Sequence, residues 1–362
     1  MKGCGVVRGK LTGCLLLGSA MVAAGGPAAF AAAPPSAGST RIGAAAQGLA
    51  VAGVLTGVTS ISANDAWAVG FTSDRTLIAH WNGHRWRVVS SPSPRTYPKL
   101  TAISASSARG VWTVGSANFN SGSLTARHTN SGWKRVPAVN PRGSTSIAGV
   151  ATVTARNVWA VGGTPTWTVI LHWNGRSWRR ISSPNPVSGS YLNAVTARSA
   201  KDAWAVGLAG NSTLIEHWGG ARWRRSPSPS AAGAPVLYGV AASSARDAWA
   251  VGGTLNGGKT VILHWTGRSW RRVPSPSPPG YSTLSAVTAI SARDAWAVGS
   301  ANGKSLILHW NGSSWRRAAS PSPTSYCTLS GVSATSASHV WAVGYAGSKT
   351  FILAWNGHRW QQ

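Results

Sequence analysis

The chain has 362 residues, with 34 Lys or Arg against 6 Asp or Glu and a formal net charge of +28. So few carboxylates argue against glycoside hydrolysis, which normally sets two of them on one bond. The three cysteines are too few for a cysteine metal framework.

The chain opens with a basic segment carrying Lys2, Arg8 and Lys10. An uncharged run from Leu11 to Ala33 follows, with Ala29-Phe30-Ala31 as an A-x-A cleavage site. Together these make a secretory signal peptide over residues 1–31, so the mature protein is expected outside the cell, associated with the wall or free. The uncharged run is long enough to span a bilayer as an uncleaved anchor, but Gly25-Gly26-Pro27 interrupts it. Leu11-Thr12-Gly13-Cys14 has the look of a lipoprotein box, but it follows Lys10 with no apolar core before it. Cleavage removes Cys4 and Cys14 and leaves Cys327 alone. The fold then depends on a packed core, and no membrane span remains. Residues 32–54, rich in Pro, Ser, Gly and Ala, read as a linker or lead-in.

From residue 55 to 362 the chain repeats. Trp67, Trp112, Trp159, Trp204, Trp249, Trp296 and Trp341 recur at spacings of 45, 47, 45, 45, 47 and 45, a period typical of repeat architectures. Units begin at Leu55, Leu100, Ile147, Leu192, Leu237, Leu284 and Leu329, each 12 residues before its tryptophan. In the unit from Leu237, apolar segments run from Leu237 to Ala242, Ala248 to Gly252, Thr260 to Trp265 and Trp270 to Val273. Short, alternating or wholly apolar runs between Gly-rich and Ser-Pro-rich breaks predict strands. Four strands per unit and seven units predict an all-β fold, a seven-bladed β-propeller of four-stranded blades. The third tryptophan of a unit stands 14 residues before the next unit in all six cases, whereas the key tryptophan is 13 residues from the His position in five units, 16 in the second and 15 in the fifth. Length variation is therefore expected between the second and third strands, in loops that share a face with the inter-blade loops. The last unit ends at Trp360-Gln361-Gln362 with almost no fourth strand, and Thr40-Arg41-Ile42 is a candidate to complete it.

The motifs Ala-Trp-Ala-Val-Gly and His-Trp-Asn-Gly resemble those of Asp-box and kelch-like propellers, including secreted bacterial repeat proteins. Leu171-His172-Trp173-Asn174-Gly175-Arg176-Ser177-Trp178 keeps the Asp-box Gly and Trp spacing. Leu171 replaces the usual Ser/Thr, however, and Trp173 the Asp. The kelch double glycine occurs only at Gly162-Gly163 and Gly252-Gly253. The resemblance implies the propeller. It does not carry an activity across, since a fold hosts many functions.

Asp65, Asp202, Asp247 and Asp294 occupy one repeat position and read as turn residues bonding their own backbone; Asp74 and Glu216 lie outside it. The sialidases that resemble Asp-box propellers use Arg, Tyr, Glu and Asp, and no such set maps onto this chain. Neither catalytic residues nor a cofactor are expected. His80, His128, His172, His217, His264 and His309 share one position and Ala354 fills it in the last unit. Spread around a ring they cannot converge on a metal, so packing or a cross-strand hydrogen bond is expected.

Twenty of the 21 tryptophans fit repeat positions and read as core; Trp167 lies in a variable loop. Tyr97, Tyr281 and Tyr326 each stand three residues before a unit start. These four aromatics are candidates to bind carbohydrate, or alternatively to plug the channel mouth. Basic pairs follow the third tryptophan, at Lys134-Arg135, Arg179-Arg180, Arg224-Arg225, Arg271-Arg272 and Arg316-Arg317. On an outer edge strand they discourage aggregation or bind a polyanion. The 26 Arg against 8 Lys also fit a GC-rich coding bias. The expectation is a monomeric, non-catalytic binding module for carbohydrate or anionic polymer of the cell envelope, with no specific nucleic-acid partner. The alternatives are a protein-interaction scaffold and a degenerate glycosidase or lyase.

Overall fold

The computed structural model describes residues 49–94, 96–117, 122–139, 145–229 and 232–362. The signal segment and the 40–42 stretch lie outside them. Each repeat forms one sheet of four antiparallel strands in chain order, and the seven sheets make a seven-bladed β-propeller. Blade 1 comprises Val54–Ser62, Asp65–Phe71, Thr76–Trp81 and Trp86–Val89, and blade 5 comprises Pro235–Ser244, Asp247–Thr254, Thr260–Trp265 and Trp270–Arg272. First strands pack on the first strands of neighbouring blades all round the ring, so they lie innermost and the fourth strands form the rim. The middle strands are covered on both faces. Accordingly Val261, Ile262 and Leu263 are consecutive and all buried, the pattern of a strand sandwiched between layers.

The register defines two faces. In blade 1, Leu55 and Leu77 both stand opposite Gly70, so the second-to-third-strand loop and the inter-blade loop open at one end, the loop face. At the other end Ser62 pairs with Asp65 and Trp81 with Trp86, so the two remaining turns open there, the turn face.

Each first strand carries a bulge one residue after its unit start, at Thr56, Thr101, Ala148, Asn193, Tyr238, Ser285 and Ser330. A bulge re-aims one side chain out of the ladder, and here it links blades. Thr56 Oγ1 donates to Leu100 O at 2.8 Å, Thr101 Oγ1 to Ile147 O at 2.7 Å, and Asn193 Nδ2 to Leu237 O at 2.8 Å. The bulge also explains the glycine that ends the repeat motif. A methyl group on Gly252 would overlap the Val236 carbonyl, and the same holds for Gly70 against Val54 and Gly344 against Thr328.

Tryptophans join one blade to the next. The key Trp204 of blade 4 is tilted against Trp265 at 4.9 Å and meets Trp270 edge-on at 5.2 Å, both from blade 5. Trp112, Trp159, Trp249 and Trp296 are held in the same way by the following blade. Edge-to-face indole pairs add about 0.5–1.5 kcal/mol to the burial of their surface. The second tryptophan of a blade also fixes its own blade's turn, as in Trp265 Nε1 donating to Ala245 O at 3.1 Å.

Closure repeats this clamp. Trp341 of blade 7 lies against Trp81 and Trp86 of blade 1, and Ser60 N donates to Ser333 Oγ at 2.9 Å. The last blade makes its own fourth strand, Trp360–Gln361, short as it is. The lead-in runs beside the start of that blade's third strand: Thr350 N donates to Val51 O and Gly53 N to Ser348 O, both at 2.9 Å.

Candidate functional site

The histidines and aspartates of the repeat meet. His80 Nε2 lies 2.9 Å from Asp65 Oδ1, His217 3.0 Å from Asp202, His264 2.6 Å from Asp247 and His309 2.9 Å from Asp294. Each ring stacks on its own blade's key tryptophan, with centroids 4.0 Å apart in all four. The aspartate therefore pairs with a histidine across the sheet, which corrects the reading of a turn residue bonding its own backbone. In blade 3 Asn157 replaces the aspartate, 2.8 Å from His172, and burial pushes the His172 imidazole below its usual value. For Asp202, burial works to raise the carboxyl, but hydrogen bonds from His217 and Arg198 outweigh it and the net shift is downward.

Blade 2 departs from the alignment. Trp112 stands opposite Arg127, as Trp67 stands opposite His80, so Arg127 and not His128 fills the histidine position. His128 takes the second-tryptophan position, opposite Trp133 and 4.7 Å from Trp67. Trp112 to Arg127 is then the same interval as Trp249 to His264, so blades 2 and 5 share one loop length.

Glu216 is wholly buried. It stands opposite Ala205, the place that Leu171 takes opposite Ala160 and Leu263 opposite Ala250. Both carboxylate oxygens accept from Ser183 Oγ, at 3.2 and 3.0 Å. Burial pushes its pKa up to about 8 against the partial relief of that bond. An acid in a leucine position, held by one hydroxyl, is a core residue rather than half of a hydrolytic pair.

The loop face gathers the aromatic residues that the repeat does not use. Trp167 is 54% exposed, Tyr97 53%, Tyr281 55% and Tyr326 54%. Trp167 ends the Thr164-Pro165-Thr166-Trp167 turn, where its backbone N donates to Thr164 Oγ1 at 2.9 Å. The neighbouring inter-blade loop joins this turn through Gly189 N to Thr166 O at 3.3 Å and carries the exposed Val187. Tyr281 is tied to the loops on both sides. Ser282 N donates to Gly258 O of blade 5, and Asn302 of blade 6 exchanges bonds with the Tyr281 backbone. Tyr326 bridges blades 6 and 7 likewise, through Cys327 N to Gly303 O and Gly347 N to Tyr326 O. Tyr97 holds φ at +38°, a left-handed conformation uncommon outside glycine.

Three further tyrosines complete this face, and the sequence reading passed over all three. Tyr345, at the end of a second strand, lies 5.9 Å from the Tyr326 ring. Tyr238 is the bulge residue of blade 5, and burial together with the neighbouring Tyr281 pushes its hydroxyl up to about 12. Tyr191, at the start of a first strand, donates to Ser146 O at 3.3 Å. All six tyrosines of the chain thus sit at the loop face. They are spread around the ring, with Tyr326 beside Tyr345 and Tyr281 beside Tyr238, so the face offers several separate aromatic patches and not one pocket.

The basic pairs Arg179-Arg180, Arg224-Arg225, Arg271-Arg272 and Arg316-Arg317 are exposed on the rim strands, as is Lys134-Arg135. Among the described residues, the ion pairs made by arginine are Arg75–Asp74 and Arg198–Asp202, so the rim carries unneutralised charge. Among the described residues, no three His, Cys, Asp or Glu side chains come together to hold a metal, and no helix is long and apolar enough to cross a membrane.

No family model matches the chain, and no curated protein does. Solved structures match in shape. YCF48 bound to D1 peptide superposes with a TM-score of 0.58 at 13% identity, over 84% of this chain and 95% of that one. A mutant of the Aleuria aurantia lectin in complex with Fucalpha1-6GlcNAc gives 0.52 at 15%, over 75% and 97%. Puromycin hydrolase gives 0.56 at 10%, over 86% of this chain but 53% of its own length. At such identities the likeness shows the fold alone. It is a fold that binding proteins and an enzyme share.

Proposed function

We propose that the protein is an exported, non-catalytic binding module whose loop face takes carbohydrate of the cell envelope. One observation carries this reading: the six tyrosines and Trp167, the aromatics outside the repeat positions on this face, are gathered where the loops of adjacent blades meet. Flat amphipathic rings suit the apolar faces of sugars, while their hydroxyls and indole N–H groups suit the edges. The likeness in fold to a lectin solved in complex with a fucosyl sugar supports it. The buried, serine-bound Glu216 speaks against a hydrolase.

A second reading has its own support. Val139, Val187 and Leu255 are also exposed on the loop face, and apolar aliphatics there fit a peptide or protein, as in the YCF48 complex with its peptide.

Retention of residues 32–362 on purified envelope polysaccharide tests the first reading. Binding that resists salt, is displaced by free sugar and drops at least tenfold in Trp167→Ala or Tyr326→Ala is the expected result. Retention unaffected by free sugar and by both substitutions would overturn it and leave the protein partner.

A further inference from the structure

We propose that the turn face is a second binding surface, separate from the loop face, for a linear phosphate-bearing polymer. Its cations come in pairs. In blades 3, 4 and 5 the turn between the first two strands carries Arg156, Lys201 and Arg246, and the turn between the last two carries Arg176, Arg222 and Arg268. All six side chains are exposed. The two turns of a blade touch: a methyl group built on Gly175 would lie 3.2 Å from Arg156 Cβ, one on Gly220 3.1 Å from Lys201 Cγ, and one on Gly267 3.0 Å from Arg246 Cβ. Each blade therefore presents two neighbouring positive charges, and Arg293 of blade 6 extends the arc.

The acids of this face do not cancel them. Asp65, Asp202, Asp247 and Asp294 point into the blade, each with an oxygen within 3.0 Å of a histidine Nε2, and their side chains are at most 26% exposed. The remaining carboxylates, Asp74 and Glu216, are on the loop face and in the core. Exposed cations without partners, repeated from blade to blade, match a ligand whose anionic groups also repeat. A single small anion could use only one blade. Phosphate suits the pairing better than carboxylate, because a tetrahedral group offers oxygens to two donors at once while a planar carboxylate is satisfied by one guanidinium fork. Among the described residues the exposed tyrosines and the exposed tryptophan lie on the loop face, so the turn face offers charge rather than large aromatic platforms, and recognition is of backbone charge.

The test is binding of linear inorganic polyphosphate as a function of salt, with polygalacturonate as the carboxylate comparator. The variant R156S/R246S/R293S is suited to it because Ser338 already occupies the corresponding turn position in blade 7; an unchanged thermal melt verifies that it folds. The expected result is tight, salt-sensitive binding of polyphosphate that exceeds binding of polygalacturonate. In the variant, the slope of log K against log salt should become shallower by about 2, from three lost contacts at roughly 0.7 each, with affinity at least tenfold lower. The rim variant R179S/R224S/R271S should keep most of the binding, and Trp167→Ala all of it. Loss in the rim variant with the turn variant unaffected would overturn the assignment to this face, and equal binding of both polymers would overturn phosphate as the ligand class. Neither outcome bears on sugar binding at the loop face.

Discussion

Trp341 of the last blade meets Trp86 of the first edge to face, with ring centroids 5.2 Å apart and planes at 87°. Trp204 meets Trp270 at the same distance and 89°. The contact that closes the ring is thus built like the contacts between blades that follow one another in the chain, although its partners are far apart in sequence.

Trp86→Ala should therefore cost about as much as Trp270→Ala, in the range of about 3–5 kcal/mol for a buried tryptophan. Urea denaturation of both variants checks this. If Trp86→Ala costs no more than the exposed Trp167→Ala, the closing interface is not formed in solution.

Gly252→Ala should destabilise by about 2–3 kcal/mol or more, because a β-carbon would collide with the backbone of the bulged first strand. Gly219→Ala, where nothing lies within 4 Å of the added carbon, is the matched control and should be nearly neutral. Comparable losses at both sites would remove close approach as the reason for the motif glycine.

Glu216 gives stability a particular pH dependence. Its folded pKa is raised from 4.5 to about 8, so between those values the folded chain holds a proton that the unfolded chain has released. Stability from this group is greatest below pH 4.5 and falls as pH rises to 8, by up to about 1.4 kcal/mol per unit. Glu216→Gln should flatten that decline, so that the variant's advantage grows from pH 5 to pH 8 in denaturation curves. A constant difference between the two proteins across that interval would show that Glu216 is already ionised in the fold.

His172 faces Asn157, where four other blades oppose histidine with aspartate. Asn157→Asp should raise the His172 pKa, since a carboxylate favours the imidazolium that burial now disfavours. An NMR titration of the ring protons reads this directly; no upward movement would mean that the substituted carboxylate does not engage the ring.

The architecture was legible because the blade period is written in tryptophan, and because a strand covered on both faces, such as Thr260–Trp265, must be apolar throughout. What joins the blades was not legible. Trp67 and Trp133 touch only across a blade boundary, and a repeat read on itself cannot say which copy a side chain meets. Matching residue types misled at His128, where Arg127 holds the histidine position and the histidine has moved one place toward the turn face. Tyr238 and Tyr345 lie inside strands, where tyrosine is an ordinary β-former, so only the geometry sets them beside Tyr281 and Tyr326. The rim arginines follow the third tryptophan of each unit, a fixed landmark, whereas the turn cations follow alanine or glycine and stand out only once the two turns of a blade are seen side by side.

The paired cations of the turn face and the six tyrosines of the loop face make the two ends of the disc chemically different. Near a negatively charged surface, a body whose cations are denser on one face experiences a torque that turns that face inward. Under the proposed binding by the turn face, landing is biased toward the orientation that directs the aromatic loops away from the surface. One fold thereby combines attachment and presentation, and weakening the charge asymmetry would randomise orientation before it abolished adsorption.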